Sequence, residues 1–125
     1  LGGAFMKDIL GRPIKDLSRQ EWWGIPRREI KWYPQIDYER CIGCGVCLIT
    51  CGRTVYDWDF KNMKPIVARP YNCMIGCDTC AKMCPKDAIL FPPLGYLRKI
   101  RDNAKVVLKA RQKLLGIKKN INSLE

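Results

Sequence analysis

Eight cysteines hold most of the chemistry open to this chain of 125 residues. The first four, Cys41, Cys44, Cys47 and Cys51, stand in the run CIGCGVCLITC, spaced C-x2-C-x2-C-x3-C. The other four, Cys73, Cys77, Cys80 and Cys84, stand in CMIGCDTCAKMCP, spaced C-x3-C-x2-C-x3-C and followed by Pro85. Thiolate sulfur grips zinc and iron–sulfur clusters, and paired thiols can oxidise to disulfides. Structural zinc usually takes two separated cysteine pairs rather than three or four ligands in one loop. A disulfide framework spreads its cysteines along a secreted chain, and nothing here looks secretory. Free buried thiols would have no reason to recur in two matched runs. A cubane cluster offers iron corners that each want one thiolate. Three cysteines separated by two residues each can wrap three corners with one tight loop. Gly43 and Gly45 sit between ligands, where the backbone must turn close to inorganic sulfide. Backbone N–H groups of such a loop can then point at the sulfides.

The runs are copies of one unit. Cys44, Cys47 and Cys51 become Cys77, Cys80 and Cys84 on a shift of 33 residues, and the same shift lays Val55-Tyr56 over Ala88-Ile89. A supersecondary unit used twice suggests a pseudo-twofold core in which two half-units share one interior.

The spacing resembles that of the bacterial and archaeal ferredoxins that hold two [4Fe–4S] clusters. In that family the fourth cysteine of each run reaches across to the other cluster. Carried over, the resemblance implies one cluster on Cys41, Cys44, Cys47 and Cys84, and a second on Cys73, Cys77, Cys80 and Cys51. Two departures stand out. Gly52 replaces the proline expected after the first run, and one extra residue separates Cys73 from Cys77, with Gly76 the natural place to absorb it.

Composition narrows the rest. The net charge is +11, and residues 94–125 carry nine basic and two acidic side chains. Histidine is absent, which excludes a Rieske-type site and imidazole proton chemistry. No apolar run approaches the length of a membrane span, and no signal peptide is visible, so a cytoplasmic location is expected. The chain begins at Leu1, with Met6 a second candidate start, so it is processed, mis-started or incomplete.

The elements that must position the cysteines give an α+β expectation: a dicluster core with short antiparallel hairpins and short helices, plus a long basic C-terminal helix. Three parts follow. Residues 1–35 form an aromatic-rich extension punctuated by Gly2, Gly3, Gly11, Gly24, Pro13, Pro26 and Pro34, with at most a helical turn over Asp16 to Trp23. Residues 36–93 form the cluster domain. A strand at Ile36 to Tyr38 enters it, the alternating Thr54 to Phe60 pairs with Ile66 to Ala68 as a hairpin, and Ala88 to Phe91 returns beside Ile36. This piece is small enough that metal–thiolate bonds should hold much of the fold. Residues 94–125 form a basic amphipathic helix and tail. Leu97, Ile100, Ala104, Val107, Leu108, Leu114 and Leu115 line one side, Gly116 is placed to stop the helix, and Lys109, Arg111 and Lys113 would suit its C-terminal dipole.

The functional expectation is a non-enzymatic carrier. The sequence shows no dinucleotide fingerprint, phosphate loop, or acid–base constellation, and every cluster iron would have a cysteine. The resemblance implies low-potential one-electron transfer between redox enzymes, in an anaerobic metabolism. The basic tail suits an acidic docking surface on such enzymes. A subunit fixed in a larger oxidoreductase is the alternative, with Trp22, Trp23, Trp32 or the helix over residues 95–115 as the contact to a homo-oligomer or complex. The bland reading of Trp22, Trp23, Trp32 and Tyr33 is that they cover the cluster domain. A small-molecule substrate is not expected; an anionic membrane surface or nucleic acid ranks below the redox partners.

Overall fold

The computed structural model describes residues 6–124, with side chains through residue 121; Leu1, Gly2 and Gly3 lie outside them. The architecture is α+β: among the described residues, α-helices of 5 to 19 residues and three two-stranded antiparallel pairs. In chain order the elements are β1 (Glu21–Trp22), β2 (Ile25–Pro26), β3 (Gln35–Ile36), α1 (Val46–Thr50), β4 (Tyr56–Asp59), β5 (Lys64–Val67), α2 (Thr79–Met83), β6 (Ile89–Leu90), α3 (Leu94–Asn103) and α4 (Val106–Leu124).

The expected hairpin forms between β4 and β5, with Tyr56 opposite Val67 and Asp59 opposite Lys64. Asp59 closes its turn by accepting hydrogen bonds from the Lys61 and Asn62 N–H groups. The return strand also forms: β3 and β6 pair with Ile36 opposite Ile89. The two short helices correspond under the 33-residue shift, Val46–Thr50 against Thr79–Met83, and each has the fourth cysteine of its run as C-cap.

The core gathers Leu48, Val55, Tyr56, Ile89 and Ile100 around the buried cysteines, and it also takes in Ile30 and Trp32. Residues 1–35 are therefore only partly an outer layer. Trp32 is buried and stacks on Phe91 at 5.2 Å, and Tyr33 meets Tyr71 edge-on at 5.8 Å. Trp22 is half-buried, whereas Trp23 is 38% exposed. The helical turn expected over Asp16 to Trp23 is not formed. Glu21–Trp22 is strand instead, pairing with Ile25–Pro26 across Trp23 and Gly24, both at positive φ.

The single C-terminal helix expected from the apolar stripe is two helices. The chain breaks at Ala104 and Lys105, where Lys105 takes a φ of 54°. The break follows the division of the stripe. Ile100 and Ala104 are buried against the domain, but Val107, Leu108, Leu114 and Leu115 of α4 are more than half exposed. Gly116 does not end the helix. An isolated helical glycine costs only about 1 kcal/mol relative to alanine, so α4 continues through it to Leu124. Lys109, Arg111 and Lys113 accordingly lie within α4 and not at its end.

Candidate metal centres

The eight thiols are all free and fall into two groups. One cavity is lined by Cys51, Cys73, Cys77 and Cys80 together with Tyr56, Val55 and Arg53. A second is lined by Cys41, Cys44, Cys47 and Cys84 together with Ile89, Ala88 and Trp58. Their atom-free space, including the open mouths, is about 480 Å3 and 360 Å3 respectively. Each cavity thus takes three cysteines from one run and the fourth from the other run.

The short helices explain the exchange. Each holds one cysteine near its start, Cys47 in α1 and Cys80 in α2, facing the cavity of its own loop. After little more than one turn the helix ends, and the C-cap cysteine arrives at the opposite cavity. The Cys51 N–H still bonds the Cys47 carbonyl at 3.1 Å, so the two cysteines of α1 are fixed relative to each other while serving different cavities.

Among the described residues, no group of three or more His, Cys, Asp or Glu side chains is drawn close enough to hold a single metal ion. The thiols instead surround space, as ligands of a multi-atom cluster do and ligands of one zinc do not. The donor set, four soft thiols per cavity, fits a four-iron cluster at both places. Burial and the neighbouring thiols push Cys47 up to about 11 and Cys73 up to about 12. Burial thus favours the protonated thiol at these two positions, and binding a metal there as thiolate must expel those protons.

The loops come as close as the spacing requires. Gly43 has a φ of 74°, and a Cβ there would stand 2.4 Å from the Met63 carbonyl oxygen of the hairpin turn, so no side chain fits. Gly76, with a φ of 92°, sits where the Cys73–Cys77 loop has its extra residue.

Several residues that support these cavities lay beyond sequence reasoning. Arg12 donates from Nη1 to the Cys51 carbonyl at 2.7 Å and from Nη2 to the Leu48 carbonyl at 2.9 Å. It thereby satisfies carbonyls at the C-terminus of α1, where a cation is also favoured by the helix dipole. Asp8, whose side chain is fully buried, holds Arg12 by accepting from its Nε at 2.6 Å. Burial pushes the Asp8 carboxyl up, but hydrogen bonds from Arg12 and Leu10 outweigh that and hold it below the usual carboxylate range. Asn72 stitches the N-terminal segment to the second run: Nδ2 donates to the Lys15 carbonyl at 2.8 Å, and Oδ1 accepts from the Leu17 N–H at 3.0 Å. Trp32 Nε1 donates to the Cys77 carbonyl at 3.1 Å, and Lys64 Nζ donates to the Cys41 carbonyl. Apart from Asp8 and Arg12, four residues apart, these partners are distant in the chain, so no local pattern announces them. Cysteine sulfurs also take hydrogen bonds, and Cys77 Sγ pairs with Thr79 Oγ1 at 3.6 Å. The Tyr56 hydroxyl donates to Cys80 Sγ at 3.2 Å, and the Ala88 N–H donates to Cys84 Sγ at 3.3 Å. For Tyr56 the repeat did hold a signal, because it aligns with Ile89.

Comparison with known proteins agrees with this chemistry. The family described as 4Fe-4S dicluster domain matches residues 40–88. An uncharacterized ferredoxin of Methanocaldococcus jannaschii is 44% identical over 80 residues, covering 63% of this chain and 52% of the relative. The chain thus spans about half the length of that protein. Ferredoxin-3 of Nostoc sp. is 36% identical over 80 residues, with 81% of its length covered. The indolepyruvate oxidoreductase subunit IorA of Pyrococcus horikoshii is 39% identical over 81 residues, which make up only 11% of that subunit. With four cysteines around each cavity and similarity to most of the length of a small ferredoxin, the chain belongs to the ferredoxin family, with a 4Fe-4S dicluster domain.

Proposed function

We propose that this chain is a one-electron carrier between redox enzymes, with one cluster on Cys41, Cys44, Cys47 and Cys84 and the other on Cys73, Cys77, Cys80 and Cys51. A [4Fe–4S] cluster gains or loses one electron with little rearrangement. The observation that carries the assignment is the lining of the two cavities, four thiols each, drawn from both runs. Cys47, Cys73 and Cys80 are buried, and Cys41, Cys51, Cys77 and Cys84 are half-buried. Cys44 is exposed, and exposed Ile42 stands two residues before it, so that edge is where a partner approaches. On this reading the half-units are related by a pseudo-twofold, which the packing of α1 on α2 and their correspondence under the repeat shift support.

The partner reading rests on charge. Exposed Lys and Arg side chains line α3 and α4, and they would steer the chain toward an acidic docking face with salt-sensitive association. A subunit fixed in a larger oxidoreductase is the second reading. Two observations favour it: similarity to a segment of a much longer oxidoreductase subunit, and exposed Val107, Leu108, Leu114 and Leu115 on α4. Among the described residues no helix is long and apolar enough to cross a membrane.

Iron and acid-labile sulfide should each be found at about eight per chain, as two cubanes require, with interacting EPR signals after dithionite reduction. Two zinc atoms per chain and no inorganic sulfide would refute the assignment. Size exclusion of native material then separates the partner readings: a single small species fits a free carrier, and co-elution with a large enzyme fits a subunit.

A further inference from the structure

The repeat also allows the two cavities to be compared position by position, and they differ at the place of Tyr56. Tyr56 and Ile89 occupy the same place under the 33-residue shift, as do Cys80 and Cys47. Tyr56 lines the cavity that contains Cys80, and Ile89 lines the cavity that contains Cys47. Both side chains are buried, Tyr56 at 1% and Ile89 at 8% exposure. Only the tyrosine has a hydroxyl, and it donates to Cys80 Sγ at 3.2 Å. Isoleucine can donate nothing to Cys47.

A hydrogen bond to a cysteine ligand stabilises negative charge on the sulfur. Reduction adds one electron to the cluster and its thiolates, so the bond strengthens in the reduced state and raises the reduction potential. Because the donor is buried, water does not compete for it and the local dielectric screens it little.

One difference has the opposite sign, the Ala88 N–H donating to Cys84 Sγ of the other set at 3.3 Å; a further one has the sign of the Tyr56 bond. Arg53 also lines the Cys80 cavity, with Nε donating to the Asn72 carbonyl at 2.9 Å. Arg27 reaches the Cys73 carbonyl at 3.3 Å. Arg53 Nη2 and Arg27 Nε are buried without a hydrogen-bond partner, so these cations are only partly compensated beside the site. At the repeat position of Arg53 the other half carries Lys86, which is exposed and screened by water. Lys64, at the Cys41 carbonyl, is the cation on the other side, and it is partly open to solvent.

We infer that the Tyr56 hydroxyl, through Cys80, selectively raises the potential of the cluster bound by Cys51, Cys73, Cys77 and Cys80, so that the first electron entering the protein rests there. Tyr56 is a positioning residue: it holds charge on a ligand sulfur and touches no partner. The inference rests on the ligand assignment proposed above. It gives the carrier an internal direction, with the resting electron on the cluster away from exposed Cys44 and the lower-potential cluster at that edge.

Anaerobic potentiometric titration of the full, cluster-loaded chain, followed by EPR, tests it. Tyr56→Phe keeps the buried ring and removes only the hydroxyl. The higher of the two midpoint potentials should fall by about 59 mV, a roughly tenfold change in a one-electron equilibrium, and the lower should stay in place. An exchangeable proton coupled to the reduced cluster, seen by pulsed ENDOR in H2O and lost in D2O, should disappear in the variant. A purely structural role for the ring would move neither readout. If Tyr56→Phe does not retain its iron, 3-fluorotyrosine at position 56 serves instead: the stronger donor should raise the same potential. Potentials that stay unchanged, that move together, or that move only in the lower couple overturn the inference while eight irons per chain leave the carrier reading intact. Material without inorganic sulfide overturns both.

Discussion

The two cavities come from the same unit and end in different surroundings. The cavity of Cys41, Cys44, Cys47 and Cys84 is closed by Trp58, Pro65 and Ile36, and its Cys44 is exposed. The cavity of Cys51, Cys73, Cys77 and Cys80 is enclosed with help from residues before the domain. Arg12 anchors the Leu48–Cys51 end of α1, Asn72 ties Lys15 and Leu17 beside Cys73, and Trp32 holds the Cys77 carbonyl. An N-terminal segment has been used to seal one half of a repeat and not the other. Duplication supplies two equal ligand sets, and what is packed against them afterwards makes the two sites unequal.

The largest effect should come from taking away what both halves share. Iron removal by chelation should abolish the cooperative melt and the near-UV circular dichroism of the whole core, because each set of four thiols has little else to hold it together. A spectrum and melt unchanged after loss of iron and sulfide would mean that the N-terminal segment and the hairpin suffice to hold both halves.

Ligand substitution should separate the halves. Cys51→Ser should perturb the cluster associated with Cys73, Cys77 and Cys80, although it lies in the first run. Cys84→Ser should perturb the other. Each variant should keep one intact EPR signal, with iron falling from about eight toward about four per chain. The opposite pairing, with Cys51→Ser disturbing the signal that Cys84→Ser was to disturb, would overturn the crossed ligand sets.

A smaller effect is expected at Asp8 and Arg12. Arg12→Met leaves the buried Asp8 carboxylate without its cation and frees two α1 carbonyls, a cost of about 3 kcal/mol. It should speed loss of the cluster bound by Cys51 more than that of the other, as followed by visible absorbance. The pH dependence has a fixed sign. The Asp8 carboxyl is held below its unfolded value of about 3.9, so its contribution is fully present above that pH. It is lost as pH falls through the depressed folded value. Asp8→Asn should flatten stability across that acidic window; an unchanged slope would remove Asp8 from the account.

Legibility in the sequence followed the range of the forces involved. The hairpin over β4 and β5 was readable because alternation and a turn are local. The pairing of β3 with β6 was readable because the repeat required the chain to return. The split between α3 and α4 was not, because the apolar stripe continues across Ala104 and only packing shows that Ile100 has a partner while Val107 has none. Glu21 and Trp22 favoured a helical turn locally, yet Gly24 at positive φ lets the chain double back and pair them as strand. Trp32 could be read as a covering aromatic, but not as a hydrogen-bond donor to Cys77.

By itself the sequence determined the chemistry: two matched sets of soft ligands at spacings that suit a cube, a basic C-terminus, and no imidazole. Ligand type and spacing are properties of the chain within about ten residues, where covalent connection limits the geometry. Only the tertiary structure decided which buried groups act on each set. The Tyr56 hydroxyl reaches a sulfur 24 residues away, and Arg12 reaches carbonyls 36 and 39 residues away. Such contacts depend on how the whole chain closes, because burial makes each polar group seek a partner wherever folding brings one.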